Sequence, residues 1–161
     1  FATKGIINES LLKTLKDNEF FKQGFPKTTG PELFNLTYLE KAKITAGIES
    51  ISHEDTMATL NRFSADTITE AIKRSTDTLA NVVVYTSGGG MHNPLLMQNI
   101  QEQLPGYTFK TTASLGINPD AKEALLFAIL ANETIAGGKI KLGTGATDIP
   151  FVCMGKISFP Q

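Results

Sequence analysis

The residues best suited to chemistry lie in one short stretch, Thr86-Ser87-Gly88-Gly89-Gly90-Met91-His92-Asn93. Three successive glycines expose bare main chain, so a ligand can approach the backbone more closely than any side chain would permit. Asn93 and Pro94 read as the N-cap and first residue of a following helix. The unpaired amides and partial positive charge at that helix start suit a phosphate or a ribose-phosphate junction. The preceding run, Val82-Val83-Val84-Tyr85-Thr86, is apolar and β-branched, and predicts a strand buried on both faces. A loop at the carboxyl end of such a strand is where open α/β sheets bind ligands. The plainer alternative is that the glycines only make a tight strand-to-helix turn. Two other phosphate motifs do not fit. A dinucleotide fingerprint needs glycine where Asn93 stands and an acid at the end of the next strand, which here ends Lys110-Thr111-Thr112-Ala113. A P-loop needs a glycine-lysine-hydroxyl sequence after the loop, and none follows.

Other chemistry-bearing residues have simpler readings. Glu123 is expected in the first turn of a late helix, where the dipole favours an acid. Lys27 reads as an exposed loop lysine and His92 as a loop residue. Lys4, Lys73, Arg74 and Lys139 read as solvated charges, and Cys153 as a small core residue in an apolar strand. No residue is proposed as a metal ligand.

The elements that must position the glycine loop can be traced on either side of it. Asn8 caps a short helix through Leu11, Leu12 and Leu15. Residues 23–31 are too rich in glycine and proline for regular structure, and Pro31 opens a short helix with Leu33, Phe34 and Tyr38. Asp55 caps a long helix whose positions Met57, Leu60, Phe63, Ile68, Ala71, Ile72 and Leu79 predict one buried face opposite Glu70, Lys73 and Arg74. After the loop, a helix from Asn93 carries Leu95, Leu96, Ile100 and Leu104 inward and stops at Pro105-Gly106; Tyr107 to Thr111 is a second strand. Asn118-Pro119 starts a helix to about Ala136 that is apolar nearly all round and therefore expected to be buried on most sides. Gly137-Gly138 ends it, and a loop with Gly143-Thr144-Gly145 leads to a last strand around Phe151 to Phe159.

This order predicts an α/β fold with helices packed on a small, mostly parallel sheet, divided into a helical insertion and loop segment (1–54) and an α/β nucleotide-binding core (55–161). Two or three strands rarely make a stable doubly covered sheet, so further strands are expected from outside the chain. At 161 residues the chain suffices for one domain with a real core. A net charge of −1 with interspersed signs argues against a nucleic-acid partner. No apolar run approaches the roughly 18–20 residues of a membrane span, no signal peptide is visible, and the single cysteine fits a reducing compartment, so a cytoplasmic setting is expected. The first residue is Phe1 and not methionine, and the chain is expected to be a truncated product or an excised domain.

Gly88-Gly89-Gly90-Met91-His92-Asn93-Pro94-Leu95-Leu96-Met97 closely resembles the adenosine-binding segment of anhydro-N-acetylmuramic acid kinases, members of the actin, sugar kinase and heat-shock ATPase superfamily. Three more segments agree in order: Pro26-Lys27-Thr28-Thr29-Gly30 with Glu32 and Phe34-Asn35, Leu115 to Ala124 with Phe127-Ala128, and Thr144-Gly145-Ala146 with Met154 to Ile157. Thr28 stands where serine is common and Pro31 where arginine is common. The resemblance implies the C-terminal half of an actin-like, ribonuclease H-like ATPase fold. It implies ATP and magnesium in the whole enzyme, and hydrolytic opening of the anhydro ring of a muramic sugar with 6-O-phosphorylation during peptidoglycan recycling. It places Gly88, Gly89, Gly90 and Asn93 at the nucleotide and Glu123 at the sugar. The family's glycine-rich phosphate segment and its general-base aspartate have no match here, so no catalytic residue is assigned and the chain alone is expected to be inactive. The alternative is a non-catalytic domain derived from a sugar kinase that associates with itself as a homodimer.

Overall fold

The computed structural model describes residues 1–136 and 157–158. It is an α/β structure with six α-helices and a small two-stranded parallel sheet among the described residues. The helices are α1 (Glu9–Lys16), α2 (Glu19–Lys22), α3 (Leu36–Thr45), α4 (His53–Thr76), α5 (Pro94–Gln103) and α6 (Lys122–Ala136); the strands are β1 (Val83–Thr86) and β2 (Thr108–Thr111). From α4 onward the helix-strand alternation is as the sequence predicts. The expected Gly137-Gly138 stop, the Gly143 to Gly145 loop, Lys139, Cys153 and most of the last strand lie outside the described residues. At Ile157 and Ser158 the backbone has no regular structure.

The chain forms two compact units, Phe1–Val84 with Gly89–Phe109, and Tyr85–Gly88 with Lys110–Gln161. In the first, α1 packs against α3 and α4 around Leu11, Leu15 and Ala42, with Tyr38, Leu60 and Phe63 closing the cluster. A second cluster joins α4 to α5 through Ala65, Ile100 and Leu104. The N-terminal segment lies on the start of α4: the Ile6 amide donates to Asp55 (2.7 Å) and the Asn8 amide to Thr59 Oγ1 (2.9 Å). Gly5 permits that approach, since a Cβ there would stand 2.0 Å from the Glu54 carbonyl oxygen. Caps are side-chain amides at four helices, Asn8, Asn18, Asn35 and Asn93, each accepting from an amide two or three residues on.

Several sequence expectations are corrected. The cap of α4 is Ser52, whose hydroxyl accepts from the Asp55 amide; the Asp55 carboxylate is engaged by Ile6 instead. The buried residues of α4 are Thr56, Ala58, Thr59, Asn61, Ala65, Asp66 and Thr69, small or polar side chains that let neighbouring segments come close. Met57, Ile68 and Leu79 are exposed. The helix expected at Pro31 begins at Leu36, because Asn35 accepts from the Tyr38 amide and its amide group donates back to the Pro31 and Glu32 carbonyls, closing a turn first. The late helix begins at Lys122 and not Pro119, because the Asn118 side chain accepts from the Asp120 amide in a local turn. None of its residues is buried: Leu125, Leu126, Phe127, Ile129 and Ile135 are all exposed. β1 likewise alternates exposed and half-buried positions instead of being covered on both faces. A hydrophobic side chain is buried only where another surface meets it, and neither element finds enough of one among the described residues.

Candidate functional site

The glycine segment leaves β1 as expected. Gly88 has φ +80°, a left-handed conformation that side-chain-bearing residues rarely adopt, and its amide donates to the Pro119 carbonyl (2.9 Å) in the same unit. Gly89 to His92 then form one 3-10 turn in the other unit. The turn is joined to α5 by a bond from the Asn93 amide to the Gly90 carbonyl (3.1 Å), and Asn93 Oδ1 accepts from the Leu96 amide (3.1 Å). Asn93 and Pro94 therefore start α5 as N-cap and first helical residue.

Space beside the glycines is open. Among the described residues, a Cβ added at Gly88 or Gly89 would meet nothing within 4 Å, and one at Gly90 would touch only Leu96 Cδ2, at 3.9 Å. Packing against the described residues thus does not demand three glycines here. Only the backbone angle at Gly88 requires one. Gly89, Gly90 and Asn93 lie together at the head of α5, while Gly88 and Glu123 belong to the second unit. Glu123 is exposed in the first turn of α6. Among the described residues no group of three His, Cys, Asp or Glu side chains could hold a metal ion, and no helix is long and apolar enough to cross a membrane.

Two polar centres in the first unit were not visible beforehand. Lys27 is no solvated loop lysine: its Nζ donates to the Phe20 carbonyl (2.7 Å) and lies 4.7 Å from the Phe20 ring centroid and 5.4 Å from that of Phe25. It fastens the Pro26 to Gly30 segment to α2, beside the ring cluster of Phe20, Phe21, Phe34, Tyr38 and Phe63. Arg74, also expected to be merely solvated, donates to the Phe21 carbonyl (2.9 Å). The second centre is Asp66 on α4, which accepts from Lys16 (3.1 Å), Arg62 (2.7 Å) and Gln103 (3.0 Å). Burial pushes its carboxyl up, but the Arg62 and Lys16 bonds outweigh that and hold it below the usual carboxylate range. The Arg62–Asp66 spacing of four on one helix was the available signal; the contributions of Lys16 and Gln103 are tertiary and left none.

The anhydro-N-acetylmuramic acid kinase family model matches residues 1–159. The chain is similar to the anhydro-N-acetylmuramic acid kinase of Pseudoalteromonas translucida, at 52% identity over 98% of the chain and 40% of that relative. The corresponding kinase of Pseudoalteromonas atlantica is 51% identical over 99% of the chain and 40% of the relative. That of Caldanaerobacter subterraneus is 39% identical over 98% and 40%. The chain spans about two fifths of the length of these curated relatives. With the matched segments running from end to end, the chain belongs to the anhydro-N-acetylmuramic acid kinase family, within the actin-like ATPase superfamily.

Proposed function

We propose that this chain is the nucleotide-binding C-terminal part of an ATP-dependent anhydro-N-acetylmuramic acid kinase acting in cytoplasmic peptidoglycan recycling. The observation that carries the reading is the glycine segment: main chain with open space beside Gly88 and Gly89, running into the capped start of α5. In this reading Gly88, Gly89, Gly90 and Asn93 line ATP, with α5 amides facing its anionic part. Glu123 binds the muramic sugar. Residues 55–161 form the nucleotide-binding core and 1–54 a helical insertion. ATP's magnesium is assigned to no residue of this chain, because no described cluster suits it. The phosphate segment and the general base belong to the remainder of the kinase, so the chain alone binds without turning over.

Titration calorimetry with MgATP tests this. Binding in the millimolar range or tighter is expected, and Gly89→Val should abolish it without changing the circular dichroism, since its Cβ meets no atom of the described residues. Unchanged affinity in Gly89→Val would remove the nucleotide assignment. Kinase turnover by the chain alone would remove the claim of inactivity. The exposed apolar residues of α6 favour one second reading, a self-associating domain that covers them with another copy. Light scattering after size exclusion separates the two: a monomer leaves only the first.

A further inference from the structure

Packing does not impose the left-handed backbone at Gly88, since a Cβ there would meet no atom of the described residues. Glycine takes positive and negative φ about equally well, so another interaction must select the observed angle. A bond from far along the chain reaches this residue: its amide donates to the Pro119 carbonyl (2.9 Å). That bond also commits the Gly88 donor, so a ligand meets bare main chain here and not an amide. The Pro119 carbonyl is itself held. It lies in a turn that Asn118 closes twice, with Oδ1 accepting from the Asp120 amide (2.9 Å) and its own carbonyl from the Ala121 amide (3.1 Å). Just ahead of the turn, the Ile117 amide donates to the Thr112 carbonyl (3.1 Å), which ties the segment to the end of β2. Gly88, Thr112 and the whole turn belong to one compact unit.

We propose that Asn118 is a positioning residue for the nucleotide: by closing its turn it aims the Pro119 carbonyl at the Gly88 amide, and so sets the angle at which the glycine segment leaves β1. The inference rests on the nucleotide reading of Gly88 above. Asn118 acts through Pro119 and contacts no nucleotide itself. Its side chain is exposed, so its loss leaves the hydrophobic clusters of the first unit untouched. Asn118→Ala removes the side-chain acceptor, and Asn118→Ser keeps a neutral one. Amide exchange followed by NMR, with MgATP calorimetry on the same samples, provides the test. In the unaltered chain the Gly88 amide should be protected. Asn118→Ala should speed its exchange and weaken MgATP, each about fivefold, the weight of one hydrogen bond at the surface. The Leu104 amide, in the other unit, should exchange as before. Asn118→Ser should restore both readings to within about twofold. An unprotected Gly88 amide, unchanged MgATP affinity in Asn118→Ala, a serine variant as weak as the alanine one, or parallel loosening at Leu104 would each overturn the proposal. Failure of the unaltered chain to bind MgATP is a separate result: it would remove the nucleotide reading, and this role for Asn118 with it.

Discussion

The two compact units use apolar residues in opposite ways. In the first, Leu11, Leu15, Ala65 and Leu104 are at most 1% exposed, although α4 is built largely from small and polar residues. In the second, α6 has the more apolar sequence and buries nothing: Phe127 is 66% exposed and Ile135 79%. Apolar composition therefore measures what a helix could bury, and packing within the chain decides what it does bury. The residues that close the first unit, Thr59, Asn61, Asp66 and Thr69, would not be picked out by any hydrophobic pattern.

Substitutions can break or sharpen this contrast. The largest effect is expected from Leu104→Ala, which empties a site in the α4–α5 cluster and should cost about 3 kcal/mol by denaturant unfolding. A loss below about 1 kcal/mol would mean that the first unit is no better packed than the second. Asp66→Asn should cost about 2 kcal/mol, because Lys16 and Arg62 lose their shared acceptor. The same residue sets a pH dependence. Its carboxyl is held below its ordinary value near 3.9, so its stabilisation is complete above that pH and is lost as pH falls through the lower, folded value. The acid limb of a stability–pH curve should flatten in Asp66→Asn; an unchanged limb would assign acid unfolding to other carboxylates. Lys27→Met keeps the stem over the rings but removes the donor to the Phe20 carbonyl, and should cost about 1 kcal/mol in thermal unfolding. Phe127→Ala should change the stability of the chain by less than about 0.5 kcal/mol, since its ring is mostly in solvent already. A cost comparable to that of Leu104→Ala would show that α6 is covered in solution.

Local signals carried far in the sequence and tertiary ones did not. Asn8 and Asn93 cap the helices predicted for them, and the helix-strand alternation expected from residue 55 onward is present through α6. Each depends on a few neighbouring residues. Pro31 and Asn118 misplaced two helix starts: Asn35, four residues after Pro31, both closes a turn and caps α3, and the Asn118 side chain stabilises a turn where a cap was expected. Lys27 and Asp66 were missed for a different reason. Apart from Arg62, their hydrogen-bond partners lie six to fifty residues away, and nothing in a solvated-looking lysine or a mid-helix aspartate announces such a partner. Within the candidate site, the loop and its cap were legible. The openness beside Gly89 was not, since it depends on what surrounds the loop and not on the loop itself.

The asparagine caps also bear on how the chain ages. Hydrolysis of a side-chain amide turns asparagine into aspartate, which keeps an acceptor oxygen and adds a negative charge that a helix start tolerates well. At Asn8 and Asn93, which cap through the oxygen, such damage should pass almost unnoticed. Asn35 differs, because its nitrogen donates to the Pro31 and Glu32 carbonyls while its oxygen caps α3. Losing that nitrogen would set a carboxylate against two carbonyls, so of these three caps the one ahead of α3 is where slow chemical wear would loosen the molecule.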